Sequence, residues 1–142
     1  MIDDNQILKD MKPFEKVIDY IEKEKGTDVV LKSQSTCYIR SINRIFLHHN
    51  FNMEKNGLVV LLHEVGHALQ PNNHQAEVAC KVEDGEATKK ELCLAIWDTE
   101  VDAWERGKQL AKDLKLDVDW DRFYMKMEEG LQTYYDAYIK DW

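Results

Sequence analysis

The sequence has little that would interrupt it. Two prolines and six glycines in 142 residues make no flexible linker, and no repeat or low-complexity segment divides the chain. A single domain over residues 1–142 is expected, long enough to bury a core without staples. A disulfide frame is also lacking. Cys37, Cys80 and Cys93 are odd in number, widely spaced and outside any C-x-x-C pair, which fits reduced, structural thiols in a cytoplasmic protein. Apolar runs such as Leu58–Leu62 are no longer than five or six residues, against the roughly 20 needed to span a membrane. The chain opens with Met1, Ile2, Asp3 and Asp4, not with the basic and then apolar stretch of an export leader. Nor is there a basic patch. With 19 Lys and Arg against 27 Asp and Glu, the formal charge is -8, and phosphate backbones are repelled. Neither membrane nor nucleic acid is an expected partner.

What is present is mostly helical periodicity. Phe14, Val17, Ile18 and Ile21 fall at i, i+3, i+4 and i+7 after Pro13, and Gly26 is a natural stop. Two β-forming stretches follow, Thr36–Arg40 and Arg44–His48, with Asp28–Leu31 a weaker one before them. They predict a small antiparallel sheet. A helical pattern runs from about Met53 to Gln70, where Pro71 should end it. Residues 71–88 have no clear period and read as mostly loop, with a short helical turn around Ala76–Cys80. Long helices are expected at about Lys89–Leu114 and Asp119–Lys140, the second carrying Trp120, Phe123, Met127, Leu131, Tyr134 and Tyr138 on a face that reads as core. The class is α+β.

The second helical segment of this order contains His63, Glu64, Val65, Gly66 and His67. On a helix the i, i+4 spacing puts both imidazoles on one face, one turn apart, where they can grip one ion. Glu64 sits about 100° around the helix from His63, placed to act on a water at that ion. Leu58, Leu61, Leu62, Val65, Ala68 and Leu69 make the helix nearly apolar, so these polar groups are carried into an interior or a cleft, where they need partners. The competing reading is a pair of core histidines satisfied by hydrogen bonds.

A catalytic zinc takes three protein ligands and keeps a fourth position open. The stripe Leu92, Ile96, Ala103, Gly107, Leu110, Leu114 advances in steps of three or four except for one gap, and Glu100 fills it. A carboxylate inside an apolar stripe needs a partner, which makes Glu100 the candidate third ligand, against an ordinary salt-bridged surface residue. His74 is the rival ligand. It falls one residue late for HExxHxxGxxH, and Asn73 stands where that pattern has its histidine.

On these residues the chain resembles the gluzincin-like peptidases and, among them, the small ImmA/IrrE-type metallopeptidases common in phages and mobile elements. The resemblance covers about Thr36 to Ala111: the strand Asn43–Leu47, LLHEVGHAL, and EVDAWERGKQLA, which is similar to the family's E-x-E-A pattern. Trp104 departs from the small polar residue usual after that alanine. The resemblance implies a minimal zincin-like fold, with a small antiparallel sheet packed on the HExxH helix, and one Zn2+ on His63, His67 and Glu100. It places Asp102 at the family's second acid and Arg44–His48 at the sheet edge, where an extended peptide would add a strand with His48, His49 and Arg40 near the cleft.

The expected activity is therefore hydrolysis of peptide bonds in a peptide or protein substrate, with Glu64 activating the water on zinc. Tyr134, Tyr135, Tyr138, Arg106 and His74 all compete as oxyanion donor. Asp98 and Asp102 compete to hold a histidine's second ring N–H. The alternative is a catalytically silent zincin-fold binding or regulatory protein, phage-encoded in one version of that reading.

Overall fold

The computed structural model describes residues 4–33, 35–48 and 56–141. Helix α1 (Asp4–Lys25) begins upstream of Pro13, which lies inside it. The apolar period from Phe14 marks where the helix packs, through buried Phe14, Val17 and Ile21, and not where it starts. A proline removes one intrahelical hydrogen bond without excluding a helix on its N-terminal side. Gly26, at φ 62, ends the helix in the left-handed conformation that suits glycine.

Three strands follow: β1 (Asp28–Ser33), β2 (Cys37–Ile39) and β3 (Arg44–His48). Their order is β1-β3-β2, with β1 parallel and β2 antiparallel to β3. The sheet is thus mixed, correcting the antiparallel expectation, and β3 is its central strand, correcting the expectation that Arg44–His48 is the edge. The cause is the weakest candidate segment: β1 pairs along the side of β3 that a simple hairpin leaves open, Val29 opposite Ile45. In β3 the alternation is clean, with Ile45 and Leu47 buried between less buried neighbours.

Asn43 ties these pieces together. It sits at φ 47 after the 3-10 turn Arg40–Ile42, a conformation asparagine tolerates. Its Nδ2 donates to the Lys25 carbonyl, and its Oδ1 accepts from the hydroxyls of buried Thr27 and of Tyr38. The end of α1, the start of β1 and the ring of Tyr38 are thereby fixed to one side chain.

Helix α2 (Gly57–Ala68) carries the HExxH residues; the expected start at Met53 lies outside the described residues. Val59, Leu61, Leu62, Val65 and Ala68 are buried, and burying one of the valine or leucine side chains is worth roughly 1.5–3 kcal/mol. Together they set the rotation of the helix, leaving Val60, His63, Glu64 and His67 as its half-open stripe. Helix α3 (His74–Glu83) occupies most of the segment expected to be loop. It buries no residue, so it has no apolar period to betray it; its signal is Asn73, whose side chain accepts from Ala76 N–H at the N-cap.

Helix α4 (Lys89–Asp113) opens with a capping box of Thr88 and Glu91, and α5 (Trp120–Tyr138) with Asp119 accepting from Arg122 N–H. Two glycines bring α2 and α4 into backbone contact. A Cβ on Gly66 would overlap the carbonyl oxygen of Ala103, and one on Gly107 would overlap that of Leu62. Phe123 of α5 packs edge-on against Trp104 at 5.4 Å, covering the crossing.

Replacing glycine by alanine in a helix interior ordinarily stabilises by roughly 0.5–1 kcal/mol. Gly107→Ala is expected to do the reverse, losing about 1–3 kcal/mol because the added methyl must push a backbone away. Urea unfolding measures it; a gain in stability would mean that the two helices do not cross this closely.

Candidate metal centre

The crossing sets Glu100, one turn before Ala103, against the half-open stripe of α2. Glu100 is buried, only 6% exposed, and its Oε2 lies 2.7 Å from His63 Nε2 and 3.2 Å from His67 Nε2. Among the described residues these three form the group able to hold a metal ion, one ligand atom from each lying within 4.8 Å of the others. Both imidazoles present the same nitrogen to the shared point. Two neutral ring nitrogens and one carboxylate are a donor set suited to a borderline divalent transition ion, and the residues fit such an ion.

Glu64 stands beside the group. Its Oε2 accepts from the backbone N–H of Tyr38 at 3.0 Å, and its Oε1 is 3.7 Å from His63 Nδ1. Burial pushes its carboxyl pKa up, outweighing the nearby histidines and the Tyr38 N–H, which pull the other way. A carboxylate in such a setting takes up a proton more readily than one in water.

Glu100 is shifted in the opposite sense. Burial would raise its pKa, but hydrogen bonds from His63 and His67, the charge of His67 and a hydrogen bond from the Tyr134 hydroxyl hold it far below the usual carboxylate range. Burial would lower the pKa of His67, yet the Glu100 hydrogen bond and the charges of Glu100 and Glu64 raise it. Tyr134 is raised by burial first and by the two carboxylates next, so its hydroxyl keeps its proton.

The cleft over this group has a volume of about 290 Å³ and is walled by Tyr38, Arg40, Gln70, Asn72, Asn73, Gln75, Thr99 and Tyr134 besides the residues above. Tyr134 corrects the expectation that the α5 aromatics are all core, since it alone of them turns into the cleft. Tyr135 faces elsewhere, against Trp97; Tyr138 stacks on Tyr134 and is not among the residues lining the cleft. Arg40 reaches the carbonyl of Gln70 with Nη2 at 3.0 Å. His48 is not among the residues lining the cleft, and His49 lies outside the described residues.

His74 is absent from the metal-capable group and lines a neighbouring cavity with Asp98 and Arg106. Among the described residues, Asp102 has no histidine as a hydrogen-bond partner. It accepts from Gln70 Nε2 at 3.1 Å and from Arg106 Nε at 2.7 Å. Gln70 in turn reaches His67 Nδ1 with Oε1 at 3.1 Å. Gln70 and Tyr38 are the site residues that sequence reasoning passed over. The available signal for Gln70 was its place three residues after His67 and directly before Pro71; Tyr38 acts through its main chain and left none. Trp104, the residue that departs from the family pattern, is 3% exposed and stacks on the His63 ring at 4.1 Å and 5°.

Compared with protein-family models, curated proteins and solved structures, the chain matches none.

The shifts predict how the metal-free protein responds to pH. His67, raised, contributes stability that is complete below the ordinary imidazole pKa of about 6.5 and is lost as pH rises through its folded value. Glu64, also raised, loses stability in the same direction, whereas depressed Glu100 matters only at the acid end. Thermal unfolding in the presence of a chelator should give a lower midpoint at about pH 8 than at about pH 6, and Glu100→Gln should flatten the difference. A higher midpoint at the alkaline value would contradict the assignment.

Proposed function

We propose that the chain is a zinc-dependent metallopeptidase of the zincin type, similar to the small gluzincin-like ImmA/IrrE peptidases. The observation that supports this most is the buried Glu100 carboxylate between the Nε2 atoms of His63 and His67, with Glu64 beside them in an open cleft. A buried carboxylate and two histidines facing one point are costly unless something cationic is shared among them.

His63, His67 and Glu100 would hold the ion, one Zn2+, leaving the cleft side open. When bound, zinc supplies Lewis acidity: it makes a water more acidic and polarises a carbonyl. The chain supplies the rest. Glu64, held by the Tyr38 N–H, takes the proton of the attacking water and passes it to the leaving amine. Its raised pKa suits both halves of that transfer.

Tyr134, protonated and lining the cleft, would turn the hydroxyl hydrogen it gives to Glu100 in the metal-free protein to the oxyanion that forms on the scissile carbonyl. The edge strand beside Glu64 is β2, whose Tyr38 lines the cleft and already gives its N–H to Glu64, so a peptide lying along this edge would pair with the main-chain groups the strand leaves open. A peptide adding there would bring its carbonyl over the metal group.

Glu64→Gln should keep stoichiometric zinc and lose peptide hydrolysis by about a thousandfold or more, removing the base and leaving the ligands. A zinc-loaded variant with full activity would rule out this chemistry and favour a binding role. For the ligands, Glu100→Ala should weaken zinc binding in a chelator competition by far more than His74→Ala; the reverse order would move the third ligand to His74.

A further inference from the structure

Resting on the metal reading above, we propose that Gln70 is a positioning residue that fixes the ring proton of His67 on Nδ1 and so keeps Nε2 free to ligate. Donors and acceptors around the amide fix its orientation. A glutamine amide has two N–H donors on its nitrogen and one acceptor oxygen. The Gln70 nitrogen lies 2.8 Å from the Thr99 carbonyl oxygen and 3.1 Å from Asp102 Oδ2, and both of these accept. Flipping the amide would set its oxygen against two oxygens, so the orientation follows from the partners. Oε1 is then what faces His67 Nδ1 at 3.1 Å, and an oxygen facing that nitrogen requires the hydrogen to be on the ring. With the Nδ1 proton held by Gln70, the proton the ring can give up is the one on Nε2, which without metal is donated to Glu100, and the lone pair so freed is the one a metal would take.

Gln70 is itself held from several sides. Its N–H donates to the His67 carbonyl at 3.2 Å and its carbonyl accepts from Arg40 Nη2, while Arg106 Nε anchors the Asp102 carboxylate at 2.7 Å. Standing before Pro71, the residue is discouraged from continuing the helix, and α2 ends at Ala68.

The choice of an amide has a physical reason. A carboxylate at position 70 would also accept from His67, but it would face the Thr99 carbonyl and Asp102 acceptor to acceptor. It would also add a charge to a cleft already holding Glu64 and Glu100. The amide passes the anchoring of Asp102 to His67 without adding charge. His63 is oriented differently, by its stack on Trp104.

The test compares zinc affinity by chelator competition, unfolding of the metal-free protein, and the His67 ring N–H in long-range nitrogen-correlated NMR. The proteins are wild type, Gln70→Leu and Gln70→Glu. Gln70→Leu should weaken zinc binding about 10- to 100-fold and remove the protected Nδ1–H signal. Gln70→Glu, which loses the donors to Thr99 and Asp102 but keeps an acceptor toward His67, should also weaken binding and retain that signal. A brace with only a structural role would lower affinity in step with unfolding temperature and leave the Nδ1–H signal in place in Gln70→Leu. Zinc binding by Gln70→Leu equal to wild type, or an Nδ1–H signal that survives in it, overturns the assignment and leaves the zinc reading intact. Wild type with the Nδ1–H signal but no zinc uptake supports the ring assignment and overturns the zinc reading instead.

Discussion

Everything at the candidate centre depends on how closely α2 and α4 cross. Gly66 lies against the Ala103 carbonyl and Gly107 against that of Leu62, so the two backbones touch where most helix pairs are held 8–10 Å apart by side chains. That approach lets a carboxylate on one helix reach two ring nitrogens on the other at hydrogen-bond distance. Gly66 is itself one of the two unspecified residues of HExxH. The motif therefore supplies, in one turn, both the polar groups and the gap through which the opposite helix presents Glu100.

Electrostatics and packing act on this geometry together. Burial alone would make the Glu100 carboxylate unfavourable, yet its partners hold it ionised, while Glu64 a few ångströms away is pushed toward protonation by the same burial. Two carboxylates in one cleft thus acquire different characters, one suited to holding a cation and one to moving a proton. The two histidines are likewise held by different means. A hydrogen-bonded amide supports His67, whereas a stacked indole supports His63.

The parts of this arrangement legible in the sequence were those with a period or a cap. The stripe on α4 with Glu100 in its gap, the apolar face of α2 and the aromatic repeat of α5 announce themselves because burial selects one helix face. β1 was weakly marked, and its parallel pairing cannot be read from alternation, which reports faces and not strand direction. The resemblance put β3 at an edge, and with β1 so weakly marked nothing in the pattern opposed that expectation. α3 was hidden because it buries nothing, and Tyr134 could not be ranked above the other oxyanion candidates because a cleft-facing tyrosine at helical spacing looks the same as a core one. Gln70 depends on a contact between the end of one helix and the middle of another, which local pattern does not encode.

The central claim is a single ion bound by two histidines and Glu100. Zinc K-edge X-ray absorption on the protein loaded with one equivalent of Zn2+ tests it most directly, with Glu100→Gln as comparison. The account predicts a shell of two imidazole nitrogens at about 2.0–2.1 Å and oxygens at about 2.0–2.2 Å, with an oxygen contribution that changes in the variant. A shell with three imidazoles, or one unaltered by Glu100→Gln, would contradict it.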